Sequence, residues 1–251
     1  MSPQDFRNVA LVGHGSTGKT TLTDQILVKS GAVNANPSVD AGTSICDFDD
    51  EEKLHKYSIE AAVTHFDHLG KTIQLIDCPG YPELIGQTIG ALRAVELAVI
   101  AIDAHSGIKV NTRRVWQEAT EAGVGKAILI TKMDTENIDV PGLMNAIKEI
   151  FGNQCVPLNV PLGQGNSFRG VASTLDVPAD TSGAVLDPQA IHESLVESIV
   201  EADDELMEKY LEGEVPPREK LTELMSLAIA AGSLTPVLFV STRTGHGVTE
   251  F

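Results

Sequence analysis

The stretch Val9-Ala10-Leu11-Val12-Gly13-His14-Gly15-Ser16-Thr17-Gly18-Lys19-Thr20-Thr21-Leu22 decides the fold. Phe6 to Val12 is a short apolar run that stops at a glycine, and Thr20 to Lys29 follows with helical spacing at Leu22, Ile26 and Leu27. Between strand and helix, Gly13 to Thr20 fits the pattern G-x-x-x-x-G-K-[ST] in the context its mechanism requires. Glycines let the backbone of Gly13, His14, Gly15, Ser16, Thr17 and Gly18 curl around a phosphate. The N–H groups and the helix N-terminus face its negative charge, Lys19 neutralises the outer phosphates, and Thr20, beside Thr21, offers a hydroxyl to a divalent cation.

Working outward, Ser58 to Phe66 and Thr72 to Asp77 read as two strands around a turn at Asp67 to Lys71. Leu97 to Asp103 and Ala127 to Thr131 are near-continuous apolar runs of the kind a parallel sheet buries on both faces. Ile108 to Ala122 carries Val110, Val115 and Ala119 near one face, with Gly123 as a stop. Such alternation predicts an α/β fold of the P-loop type, with a mostly parallel central sheet flanked by helices. After about Gly152 the alternation breaks. Val156 to Pro161 and Phe168 to Ser173 read as short strands, followed by helices over about Pro188 to Leu211 and Pro217 to Ala231, and Pro236 to Val240 resumes the sheet. The expectation is one domain over 1–152 and 234–251, with an inserted α+β subdomain over 153–233. The segment Gly31 to Lys56 is polar without either periodicity and reads as a mobile functional segment.

Two further motifs carry chemistry. Asp77-Cys78-Pro79-Gly80 closes a predicted strand, where a carboxylate can hold Mg²⁺ through water and the glycine amide can reach a γ-phosphate. Thr131-Lys132-Met133-Asp134 closes another. Asp134 can accept from guanine N1–H and the 2-amino group, while the Lys132 stem covers the ring. Adenine would leave that carboxylate unmatched, so the nucleotide pair is GTP/GDP rather than ATP. Ser241-Thr242-Arg243, after the last strand, is positioned to bring a backbone N–H near guanine O6.

Composition bounds the rest. At 251 residues and 42% hydrophobic content the chain suits one large domain, and no run approaches the roughly 18 apolar residues of a membrane span. The N-terminus lacks a basic stretch ahead of an apolar core, so a cytoplasmic protein is expected. Cys46, Cys78 and Cys155 form no CxxC pair and read as small buried residues. A formal charge of -17 argues against direct, sequence-specific nucleic-acid binding.

In the order GHGSTGKT, DCPG, TKMD and ST, with an insertion between the last two, the chain resembles the GTP-binding domain of bacterial elongation factor G over essentially its whole length. Gly42 to Phe48 and Lys53 to Lys56 resemble the first switch of the elongation factor G-like paralogue group. The resemblance implies a GTPase that switches on the ribosome, with Gly31 to Lys56 as first switch and Asp77 to Ile89 as second. It implies a Mg²⁺ set of Thr20, Ser58 and Asp77, with Ser58 where the family has threonine, and catalysis resting on Lys19, Gly80 and Tyr81. It also implies ribosomal partners, a stalk protein and ribosomal RNA. The acidic inserted helix, with Glu193, Glu197, Glu201, Asp203, Asp204, Glu205 and Glu208, is either a solvated face or the stalk contact. Three departures stand out: Thr131 replaces an asparagine, Ser16 an aspartate, and Tyr81 the histidine that positions the attacking water. A tyrosine cannot mimic that imidazole, so slow isolated turnover is expected. A GTP-dependent ribosome-associated switch with little hydrolysis is the alternative, and an ATP-using P-loop kinase the third reading, opposed by Asp134. The closing residues, Gly245 to Phe251, read as the opening of a helix, and the chain reads as a fragment.

Overall fold

The computed structural model describes residues 2–201, 203–214 and 216–251. The side chains of Pro3, Asp204 and Glu205 are outside it, so two residues of the predicted acidic face lie outside the described residues.

Strand β1 (Phe6–Gly13) leads through the glycine loop into α1 (Lys19–Lys29). A short helix α2 (Asp50–His55) precedes the hairpin of β2 (Ala62–His68) and β3 (Lys71–Asp77). The hairpin turns on only Leu69 and Gly70, both with positive φ (47° and 74°), the conformation a right-twisted two-residue turn demands. Then follow α3 (Ile85–Leu92), β4 (Leu97–Asp103), α4 (Val110–Ala122), β5 (Gly125–Thr131) and α5 (Val140–Phe151). Beyond them lie β6 (Cys155–Pro157), β7 (Asn159–Pro161), β8 (Val171–Ser173), α6 (Pro188–Val200), α7 (Asp204–Leu211), α8 (Arg218–Ala231) and β9 (Thr235–Phe239).

The main sheet has the order β2-β3-β1-β4-β5-β9-β6, parallel except for β2. Alternate residues of each strand face opposite sides. Leu11, Val99, Leu129 and Leu238 pack on one face with Leu22 of α1. Ala10, Val12 and Ile100 pack on the other with Leu92 of α3 and Val115 of α4, and Ile128, Ile130 and Phe239 with Met144 and Ile147 of α5. The predicted mostly parallel α/β sheet flanked by helices is therefore present.

Two elements differ from expectation. The single strand predicted over Val156 to Pro161 splits at Leu158: β6 joins the main sheet beside β9, whereas β7 pairs with β8 in a separate two-stranded sheet. Asn159 makes the exit tolerable, because its Oδ1 accepts the Phe239 N–H (3.2 Å) that the departing strand no longer serves. The helix predicted over Pro188 to Leu211 is two helices. Asp203, counted among the acidic residues, is the N-cap of α7 and accepts from Leu206 N at 3.1 Å.

Candidate functional site

The phosphate loop owes its shape to backbone conformations that glycine adopts at no steric cost. Gly13 has φ 141°, and a Cβ there would stand 2.5 Å from the Ala101 carbonyl oxygen. Gly18 (φ 85°) is the N-cap of α1, and Ser16 also turns left-handed at φ 61°. Lys19 is buried, and its ammonium folds back over the loop to donate to His14 O (3.0 Å) and Gly13 O (3.4 Å). Burial pushes its pKa down, against the pull of Asp77. A cavity of about 480 Å³ opens here, lined by Gly15, Ser16, Gly18, Lys19, Thr20 and Thr21 from the loop and by Ser58, Gly80, Tyr81 and Lys132 from elsewhere.

At the mouth of α1 lies a chain of four oxygens. Thr20 Oγ1 donates to Asp77 Oδ2 (2.6 Å), Ser58 Oγ donates to Asp47 Oδ1 (2.9 Å), and the two hydroxyl oxygens are 3.0 Å apart. Two hydroxyl hydrogens serve these three contacts, so one contact lacks a donor unless a carboxyl carries a proton. Asp77 Oδ1 is buried without a partner, and burial pushes the Asp77 carboxyl up to about 7 despite Lys19 and Thr20. A hard divalent cation answers both features, since hydroxyl and carboxylate oxygens are its preferred ligands. The predicted trio of Thr20, Ser58 and Asp77 is thus brought together.

The polar segment before Ser58 is more structured than its composition suggested. Asp49 and Glu52 form a capping box at the start of α2. Glu52, fully buried, accepts backbone N–H groups from Asp49 (3.1 Å), Ile59 (2.8 Å) and Glu60 (3.1 Å). Asp24 of α1 accepts from Ile45 N at 3.0 Å, and Cys46 and Asp47 are buried beneath. Helix α2 escaped sequence reading because it lacks a 3.6-residue apolar period. The Asp49-x-x-Glu52 spacing was the signal that could have found it.

On the far side, Gly80 lies directly on the phosphate loop, where a Cβ would stand 2.5 Å from Gly15 N and 2.6 Å from His14 C. Its carbonyl accepts from the buried Asn111 Nδ2 at 2.8 Å. Pro79 precedes it, and its carbonyl accepts from Thr88 Oγ1 at 3.4 Å. Tyr81 packs edge-on against Tyr57 with centroids 4.8 Å apart, and its ring stands beside Gly15.

The second group of predicted residues sits at the C-terminal ends of β5 and β9. Thr131 Oγ1 donates to Thr17 O in the phosphate loop at 2.7 Å, with Ile102 O a weaker alternative at 3.3 Å for its single hydrogen. The hydroxyl therefore ties the TKMD loop to the phosphate loop, although Thr131 stands where the family has asparagine. Lys132 (φ 56°) pairs with Asp103 at 2.9 Å and also lines the cavity. Asp134 accepts from Ser241 Oγ and Arg243 Nε. Burial raises its pKa, but these hydrogen bonds together outweigh it, and the carboxyl is held below its ordinary value. Gln25 of α1 donates to Thr242 O, which anchors the Ser241 loop to the helix behind the phosphate loop. All three cysteines are buried. Among the described residues no helix is long and apolar enough to cross a membrane.

Comparison with known proteins identifies the family. The family model for the elongation factor Tu GTP binding domain matches residues 4–251. An elongation factor G-like protein of Mycobacterium tuberculosis is 34% identical over 262 residues, covering 99% of this chain and 36% of its own. An elongation factor G-like protein of Thermotoga maritima is 31% identical over 253 residues, covering 98% and 36%. A crystal structure of a protein from Thermus thermophilus superposes with a TM-score of 0.87 at 32% identity, over 97% of this chain and 38% of that one. The chain thus spans about a third of the length of its curated relatives.

Proposed function

Because the chain belongs to the elongation factor Tu GTP binding domain family, with elongation factor G-like proteins among its relatives, we propose that it is the GTP-binding and GTP-hydrolysing domain of an elongation factor G-like translation factor, switching on the ribosome in the cytoplasm. The observation that carries the reading is the Thr131–Thr17 hydrogen bond, which joins the base-reading loop to the phosphate cradle, so purine identity and phosphate occupancy are sensed by one connected piece.

Each residue then has a task. The N–H groups from Gly13 to Thr20 wrap the β-phosphate, and the Lys19 ammonium exchanges its present carbonyl partners for phosphate oxygens, a stronger charge-assisted pairing. Thr20, Ser58 and Asp77 would hold Mg²⁺, which supplies neutralisation of charge on the phosphates. Gly80, with Pro79 before it, presents its N–H toward the γ-phosphate because nothing larger fits against Gly15. Asp134 accepts from guanine N1–H and the 2-amino group, and the Lys132 stem lies over the ring. The Ser241 N–H is committed to His246 O (2.9 Å), so the amide facing O6 falls to Thr242 or Arg243. Arg243, whose side chain is 70% exposed, gives up the carboxylate to the base and turns to solvent.

The inserted subdomain expected over 153–233 is then the part beyond β6, since β6 belongs to the main sheet, with the acidic α6 and α7 the surface offered to a ribosomal stalk protein. Turnover in isolation is slow, since Tyr81 cannot act as an imidazole. That same residue favours a second reading, a switch with little hydrolysis: its ring is engaged with Tyr57, the residue that follows the first switch. Phosphate release from GTP with and without ribosomes, for wild type and Tyr81→His, separates the two. Ribosome-stimulated release supports hydrolysis, its absence in both proteins supports the switch, and equal affinity for GTP and ATP removes the guanine assignment altogether.

A further inference from the structure

One segment of the chain, Gly165 to Phe168, touches both loops that read the base, yet belongs to neither and carries no nucleotide motif. From the first side, Gly165 N donates to Met133 O at 2.9 Å, fixing the peptide that leads into Asp134. Gly165 has φ 59°, and a Cβ there would stand 3.2 Å from Thr135 O, so its backbone lies flat against the TKMD loop. One residue on, Asn166 Nδ2 donates to Glu136 Oε1. From the other side, the buried Phe168 ring meets His246 edge-on, with centroids 6.0 Å apart at 89°. His246 in turn accepts the Ser241 N–H through its carbonyl at 2.9 Å, and Ser241 Oγ donates to Asp134. The two routes converge on the same carboxylate.

We propose that Gly165 and Phe168 are positioning residues for guanine recognition: they hold the Met133–Asp134 peptide and the Ser241–His246 turn in register, so that the Asp134 carboxylate is aimed at the N1–H and 2-amino edge. The inference rests on reading Asp134 as the guanine recogniser. It assigns to the region after β6 a part in base specificity that no phosphate or base motif contains. The physical basis is that a paired hydrogen bond to a fixed carboxylate discriminates between purines only while the carboxylate is held within about half an ångström and roughly 10–20°. The Ser241 contact holds the carboxylate itself. The Gly165–Met133 bond and the Phe168–His246 contact hold the backbones that carry it.

The test compares dissociation constants for GDP and inosine diphosphate, which lacks only the 2-amino group, in wild type, Gly165→Ala and Phe168→Leu, with ADP as reference. Wild type should prefer GDP. In both variants the GDP to inosine-diphosphate ratio should fall about three- to tenfold, the weakening of one charge-assisted hydrogen bond, while inosine diphosphate, which keeps the N1–H, weakens by a smaller factor. A variant that merely unfolds in part loses both ligands equally, and an unchanged ratio among the active molecules overturns the proposal. Phe168→Leu keeps an apolar side chain in the core and decides the matter if Gly165→Ala does not fold. Wild-type indifference among GDP, inosine diphosphate and ADP would instead remove the guanine reading on which the inference rests.

Discussion

Replacing Thr131 by valine removes one oxygen and almost nothing else. Both ends of the bond it makes are buried, Thr131 at 1% and Thr17 at 4% exposure, and the Oγ1···O separation of 2.7 Å is that of a full hydroxyl–carbonyl hydrogen bond. Valine matches the shape but leaves the Thr17 carbonyl without its donor, and an unsatisfied buried acceptor costs about 1–3 kcal/mol. The better transfer of valine into an apolar site offsets the upper part of that range, so about 1–2 kcal/mol is expected, a factor of roughly 5–30 in an equilibrium constant. The cost falls on the relative placement of the two loops that nucleotide must bridge. It should therefore weaken GDP binding by about that factor, read as displacement of a fluorescent GDP analogue. Thr131→Ser retains the hydroxyl and should bind within about twofold of wild type. Valine and wild-type proteins of equal GDP affinity and equal urea midpoint would refute the reasoning, because the contact would then be passive.

Gly80→Ala sets a Cβ 2.5 Å from Gly15 N, backbone against backbone, with no side chain able to give way. Phosphate release from GTP should slow at least tenfold while the preference for GDP over ADP survives, and loss of both together would place Gly80 in the general fold rather than at the γ-phosphate. Asp103 is also informative. Burial raises its pKa, but hydrogen bonds from Lys132, Ser106 N and His105 N outweigh that and hold the carboxyl below the ordinary 3.8. A carboxyl depressed on folding contributes stability that is complete above its unfolded value and disappears as pH falls through its folded value. Asp103→Asn should accordingly be less stable than wild type by urea denaturation at pH 6 and should approach it below pH 3, and an equal deficit at both pH values would exclude the ion pair as its source.

The chemistry of the phosphate loop was legible because it demands glycine, lysine and hydroxyl at fixed local spacing, between a strand and a helix whose periodicities differ. The sheet was legible for a related reason: the second half of β1 and most of β4, β5 and β9 are buried on both faces and so read as near-continuous apolar runs. What escaped reading depends on partners remote in the chain. Nothing near Leu158 announces that β6 belongs with β9 while β7 belongs with β8, since that is decided by Asn159 reaching Phe239 N. Nothing around Thr131 announces its partner either, since its hydroxyl reaches the phosphate loop through Thr17 O. The engagement of Asp134 by Arg243 was likewise invisible, although both residues had been singled out separately.

Glu52 gathers the amides of Asp49, Ile59 and Glu60 into a single buried carboxylate, stapling both ends of α2 to the chain that carries Ser58. A stretch fastened in this way behaves as a stiff plate, not a slack string. Displacing Ser58 from Thr20 carries Asp49 along, and rotation is left to the left-handed glycines upstream, Gly31 at φ 76° and Gly42 at φ 67°. In the switch cycle proposed above, opening would be a swing about a few bonds, with little chain entropy gained on release and little to be surrendered on return.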